Sequence, residues 1–126
     1  MKIVFDTYAW IEYFEGSKKG EIVKKYLEEN EILTPLIVLL ELSYKADKNG
    51  WDITKYLNYI KVKSKIVGVN DDFILNFGKT YNSSRLKVKD FGIADAVVLM
   101  TARLNEASIL TGDAHFSKFE EAIILK

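Results

Sequence analysis

The chain has no cysteine, one histidine and one proline among its 126 residues. Without cysteine, disulfides, thiolate catalysis and zinc–sulfur sites are excluded. The lone His115 makes a histidine-built metal site or a Ser-His-Asp triad hard to assemble. An excess of charge of one sign is also missing, since 18 basic residues balance 18 acidic ones. A general electrostatic grip on nucleic acid is therefore absent, and phosphate binding would need a local patch or a metal. No apolar run approaches the length of a membrane span. The N-terminal run Met1-Lys2-Ile3-Val4-Phe5 meets an acid at position 6, too soon for the apolar core of a signal peptide. These absences predict a cytoplasmic protein with no membrane partner.

What is present fits one globular domain over residues 1–126. Hydrophobic residues make up 48% and charged ones 29%, an ordinary soluble balance. A chain of this size buries roughly two thirds of its unfolded surface, enough for a core without staples. There is no repeat, low-complexity tract or linker. The pattern predicts a strand at 2–5 ending at Asp6-Thr7, then helices over 8–15 and about 18–29 broken at Gly16-Ser17. A short strand follows at 31–33. Thr34-Pro35 reads as a helix start, with a hydroxyl cap and proline in the first helical position, and that helix runs to about Lys48 before Asn49-Gly50. Apolar positions 53, 56, 57 and 60 predict a helix over 51–63, and 65–69 a strand. Asn70 caps a helix to about Tyr81, with Asn82-Ser83-Ser84 as a turn, and Asp90 caps another reaching about Asn105. Strands at 107–110 and 122–125 complete the pattern. Strands alternating with helix pairs predict an α/β fold built on a parallel sheet covered on both faces.

Four acids sit where a charge is hard to accommodate. Asp6 closes Ile3-Val4-Phe5; Glu41 interrupts Leu36-Ile37-Val38-Leu39-Leu40 and precedes Leu42; Asp95 lies within Ile93 to Leu99; Asp113 follows Ile109-Leu110-Thr111-Gly112. Charges are almost never fully buried unless paired or bound. Each acid also has a plainer reading. Asp6 can cap a helix, although Thr7 beside it can do so too. Glu41 can pair with Lys45 on an exposed face, yet its helix reads as apolar nearly all round. Asp95 can complement a helix dipole, a benefit that fades if Asp90 is the cap and Asp95 falls in the second turn. Asp113 can be a turn residue, with Thr111 orienting it. His115 reads as an exposed loop residue, and Trp10, Tyr13 and Phe14 as packing. Arg85, Lys87, Lys89 and Arg103 flank the Asp95 segment, where they read as ordinary surface cations or as groups able to meet phosphate.

Asp6 and Asp113 both follow predicted strand ends, where open α/β sheets bind ligands. Two carboxylates about 4 Å apart repel by roughly 4 kcal/mol at an effective dielectric of 20. Gathering four calls for a cation, and oxygen ligands without histidine or cysteine suit Mg²⁺ or Mn²⁺. Such ions activate water and neutralise a leaving oxygen, chemistry suited to phosphodiester hydrolysis without a covalent nucleophile.

The segments Val4-Phe5-Asp6-Thr7-Tyr8-Ala9-Trp10-Ile11, Glu41-Leu42, Asp95-Ala96-Val97-Val98 and Leu110-Thr111-Gly112-Asp113-Ala114-His115-Phe116 together resemble the PIN domain family of metal-dependent ribonucleases, particularly VapC-type toxins. The resemblance spans nearly the whole chain. It implies a central parallel sheet of about five strands with Asp6, Glu41, Asp95 and Asp113 clustered at one end as catalytic and metal-binding residues. Thr7 and Thr111 would support them. It further implies Mg²⁺ or Mn²⁺, endonucleolytic cleavage of RNA, a homodimer, and inhibition by a small antitoxin lying across the site. Two positions depart from the pattern: relatives often carry an acid where His115 stands, and many a glycine where Lys45 stands.

Three other readings compete, one of them an RNA-processing nuclease of the same fold that is not a toxin. A catalytically silent PIN-like module that binds RNA or protein would gain nothing from clustered acids. A phosphoryl-transfer domain is a poorer match. A haloacid-dehalogenase-like phosphatase would need an aspartate where Tyr8 stands, and a response-regulator receiver would need an acidic pair after the first strand.

Overall fold

The computed structural model describes every residue from Met1 to Lys126. Five strands form one parallel sheet: β1 (Lys2–Phe5), β2 (Glu31–Pro35), β3 (Lys65–Val67), β4 (Ser108–Thr111) and β5 (Ala122–Ile124). Their order is β3-β2-β1-β4-β5. The chain thus begins in the middle of the sheet, builds outward to β3, and returns to the other side of β1. That reversal puts the switch point between β1 and β4, where the fold leaves a crevice at the strands' carboxyl ends. Successive strand residues point to opposite faces, yet Ile3, Val4 and Phe5 are all buried, as are Ile109 and Leu110. Helices therefore cover both faces of the central strands.

The helices are α1 (Thr7–Glu15), α2 (Lys18–Glu29), α3 (Leu36–Asn49), α4 (Ile53–Lys63), α5 (Asp71–Lys87) and α6 (Ile93–Leu104). Gly16 and Gly50 end α1 and α3 in the left-handed conformation, with φ of 67° and 73°, which a side chain would strain. Ser17 caps α2 and Asn70 caps α5, each accepting from a backbone amide three residues on. Trp10, buried in the core, stacks on Phe14, and Phe14 stacks on Tyr56 of α4. Trp10, Tyr13 and Phe14 are thus packing residues, as their sequence predicts.

Several boundaries differ from the sequence reading, each for a local reason. Thr34 does not cap α3. It is the fourth residue of β2, fully buried, and its hydroxyl accepts from Trp10 Nε1 at 3.1 Å and bonds Ser64 Oγ at 2.8 Å. Pro35 ends the strand and caps α3 without a side-chain bond. The predicted turn at Asn82-Ser83-Ser84 is helical, because Ser83 and Ser84 donate back to the Thr80 carbonyl and leave α5 unbroken to Lys87. Asp90 is not the cap of α6; Gly92 is, and the helix starts at Ile93. β3 stops at Val67, two residues short of expectation. α3 is not buried all round: Val38, Leu42 and Ala46 face the core, whereas Leu36, Leu40 and Tyr44 are exposed. No helix is long and apolar enough to cross a membrane.

Candidate active site

Asp6, Glu41, Asp95 and Asp113 line one cavity of about 370 Å³. It opens where β1 and β4 end. Asp6 leaves β1, Asp113 comes two residues after β4, Glu41 reaches in from the second turn of α3, and Asp95 from the first turn of α6. Four segments far apart in sequence therefore present carboxylates to a common space.

Each carboxylate is held by one oxygen through a short-range contact. Asp6 Oδ1 accepts from the Ala9 amide at 2.9 Å and caps α1. Asp95 Oδ2 accepts from the Gly92 amide at 2.9 Å. Asp113 Oδ1 accepts from the His115 amide at 2.9 Å and lies 2.9 Å from His115 Nδ1. Glu41 Oε1 accepts from the Thr7 hydroxyl at 2.7 Å. The second oxygens of Glu41, Asp95 and Asp113 have no hydrogen-bond partner within the protein, whereas the Asp6 carboxyl is also hydrogen-bonded to Thr111. Such contacts fix the side-chain direction, as outer-shell groups do around metal ligands, and leave an oxygen of Glu41, Asp95 and Asp113 for a guest.

Thr7 is thus not the cap of α1; Asp6 is, and Thr7 is freed to hold Glu41 across from α3. Asp95 is in the first turn rather than the second, so its capping and dipole benefits are real. Thr111 meets Asp113 through the backbone, its hydroxyl accepting from the Asp113 amide at 3.0 Å. His115 belongs to a short 3-10 turn, Ala114–Phe116, and is tied to Asp113 instead of standing free in a loop.

Burial and mutual repulsion show in the acidities. Burial, above all, pushes the Asp6 carboxyl from 3.8 up to about 7. Hydrogen bonding to Thr111 and to the Ala9 amide opposes this rise, while the charges of Asp113 and Glu41 add to it. Burial also raises Asp95, opposed by the Gly92 amide and seconded by the Asp113 charge. Asp6 and Asp95 therefore both sense Asp113, which lies at the electrostatic centre of the cluster.

No three of these acids approach closely enough to form a ready-made ligand shell. That arrangement does not fit a closed cage such as Ca²⁺ takes. It fits Mg²⁺ or Mn²⁺ better, because Mg²⁺ keeps several waters and is usually held by one or two carboxylates plus substrate phosphate. The donor set, all hard oxygen, agrees with that choice.

Other lining residues carried weak signals in the sequence. Tyr8, Glu12 and Glu15 fall on one face of α1 by their spacing and reach the same cavity. Tyr8 lies so close to Gly112 that a Cβ there would overlap its ring. Its hydroxyl accepts from Lys19 Nζ at 3.0 Å. Lys45, one turn beyond Glu41, also lines the space. The cations flanking Asp95 in sequence do not: Arg103 pairs with Glu121 at 2.9 Å, and Arg85 donates to Tyr81.

Comparison with known proteins identifies the fold. No curated protein matches the chain by sequence. Among solved structures, a toxin–antitoxin complex from Klebsiella pneumoniae is 20% identical, with a TM-score of 0.74 and 98% of each chain covered. VapBC2 from Rickettsia felis, bound to a promoter DNA fragment, is 17% identical with a TM-score of 0.75, covering 98% of this chain and 97% of that one. Mycobacterium tuberculosis VapC20, a toxin that cleaves the sarcin–ricin loop, is 16% identical with a TM-score of 0.71, covering 94% and 95%. At these identities the likeness establishes the fold. The model of the PIN domain matches residues 3–122, and the chain belongs to the PIN domain family.

Proposed function

We propose that this protein is a metal-dependent endoribonuclease, and that it serves as the toxin of a toxin–antitoxin pair in the cytoplasm. One observation carries the chemistry: four acids from four segments line one cavity, each anchored by a short-range contact that directs it inward. Such an arrangement is costly to a fold unless a cation uses it, as the raised pKa of Asp6 illustrates.

Among Asp6, Asp95, Asp113 and Glu41, one or two would hold Mg²⁺ or Mn²⁺ directly and the others through its waters. The chemistry supplied by the bound ion is activation of a water molecule and neutralisation of charge on the reacting phosphate. The protein's own task is positioning. The Ala9, Gly92 and His115 amides keep three carboxylates directed inward, and Thr7 keeps Glu41 from swinging along α3. Glu41, held at one oxygen by Thr7 with the other unpartnered, is suited to accept a proton from the attacking water. The chain offers no cysteine or catalytic triad as a covalent nucleophile, so direct attack by water is the economical route.

The toxin assignment draws on the kinship of the fold to the toxin structures above, and implies a small antitoxin that covers the cavity and a homodimer. A second reading, a silent binding module, draws on the lack of three converged acids. One assay separates the two. The wild type should cleave single-stranded RNA with Mg²⁺ or Mn²⁺, stop with EDTA, and lose most activity as Asp6→Asn or Glu41→Gln. Binding without cleavage in every metal would favour the silent module. Growth arrest on expression, relieved by Asp6→Asn, tests the toxin role separately.

A further inference from the structure

The cavity is lined by six carboxylates, those of Asp6, Glu12, Glu15, Glu41, Asp95 and Asp113, and by one ammonium, that of Lys45. An ammonium among so many acids ordinarily pairs with one. Lys45 does not: the ion pairs in the chain are Arg103–Glu121 and His115–Asp113. Glu41, four residues earlier on the same helix face, is the natural partner, yet its Oε1 is taken by Thr7. The Lys45 ammonium instead lies 5.7 Å from the ring centroid of Tyr44, which is exposed. Lys45 is half-buried and lines the cavity, and its ammonium, a donor of three hydrogen bonds, has no hydrogen-bond or ion-pair partner.

A strand of RNA entering this cavity brings one charge per nucleotide toward six acids. A divalent ion answers for the reacting phosphate only, and the neighbouring phosphates would still meet an acidic wall. The chain as a whole, with zero net charge, supplies no compensating field. We propose that Lys45 is the substrate-binding residue that grips an RNA backbone phosphate next to the scissile one. A lysine suits the task, being a compact cation on a flexible stem that can follow a phosphate without demanding a planar partner. This assignment rests on the ribonuclease reading above for its substrate, but it makes a separate claim about which group holds the strand.

The test compares Lys45→Met and Lys45→Arg with the parent chain. Steady-state cleavage of an oligouridine with Mn²⁺ should show KM raised several-fold in Lys45→Met, with the loss falling on KM more than on kcat. Lys45→Arg, which keeps the charge, should restore most of it. Binding of a fluorescein-labelled oligouridine is then measured against salt concentration in the Glu41→Gln background, where turnover is blocked. Lys45→Met should lower the slope of log K against log salt by about 0.7, one counterion on a single strand. Unchanged KM and slope in an actively cleaving enzyme overturn the assignment and leave the nuclease reading intact. Tighter Mn²⁺ binding in Lys45→Met with an unchanged slope also overturns it, since Lys45 would then be a counterion to the acids. A wild type that never cleaves but binds oligouridine through Lys45 overturns the nuclease reading, and with it the placement beside a scissile phosphate, while keeping Lys45 as the backbone-phosphate grip. No binding of oligouridine at all overturns both.

Discussion

Removing the charge of Asp6 should stabilise the metal-free protein at neutral and alkaline pH. Asp6 is 6% exposed, and its carboxyl is pushed from 3.8 to about 7, mainly by burial. The folded chain therefore holds that proton to a higher pH than the unfolded chain does. Stability is fully present below about pH 4 and drains away as pH rises through about 7. Integrated over that interval, the loss comes to about 4 kcal/mol, and half of that is a sensible lower figure after structural relaxation. Against the roughly 5–15 kcal/mol that holds a domain together, this is a large fraction. Asp6→Asn keeps the side-chain oxygen that accepts from Ala9, since asparagine caps helices about as well as aspartate. It removes only the charge. Urea titrations in EDTA should therefore show Asp6→Asn more stable than wild type by about 2–4 kcal/mol at pH 8, converging with it near pH 4. Adding Mn²⁺ should reverse the order, because wild type gains binding free energy that the variant lacks. An Asp6→Asn protein that is equally or less stable at pH 8 in EDTA, or a difference that does not vary with pH, would refute the reasoning.

Other perturbations test the remaining contacts. Thr7→Val removes the hydroxyl that holds Glu41 Oε1 at 2.7 Å; cleavage should fall about 10-fold or more while the melting temperature moves little, because the bond is only part-buried. Gly112→Ala would drive a methyl into the Tyr8 ring. Overpacking of this kind costs about 1–3 kcal/mol, and the displaced Thr111-Gly112-Asp113 backbone should weaken Mn²⁺ binding measured by calorimetry. Thr34→Val strips the acceptor from the buried Trp10 indole, leaving an unsatisfied donor worth about 1–3 kcal/mol in chemical denaturation with cleavage per folded molecule unchanged.

The sheet was legible because its strands carry the signal of double burial: Ile3-Val4-Phe5 and Ile109-Leu110 are apolar without alternation, as central parallel strands must be. Helix ends were less legible, since the same polar residues serve two purposes. Thr34-Pro35 has the form of a helix start, and nothing local reveals that Trp10, 24 residues earlier, needs the threonine hydroxyl. Asn82-Ser83-Ser84 has the form of a turn, yet the serine hydroxyls fold back onto Thr80 and the helix continues. Tertiary partners decided both cases. Tyr8 and Lys45 reach the cavity by virtue of spacing alone, on α1 and α3 faces whose orientation depends on how each helix leaves the sheet.

In the sequence, each acid can be either functional or merely a local cap or turn residue. The geometry dissolves that choice. Asp6 is a cap, Asp95 answers the Gly92 amide, and Asp113 is a turn acceptor; each plainer reading is correct. A carboxylate has two oxygens, however, and the cap uses one. Anchoring the first oxygen to a backbone amide fixes the direction of the second, and it does so with elements that the sheet already places at the switch point. Capping is thus the means by which this fold points acids into the cavity without extra scaffolding. The same reasoning explains why Glu41 needs Thr7: it sits inside a helix, where no free amide is available, so a hydroxyl from α1 stands in. The cost of a site built this way appears as the raised pKa of Asp6.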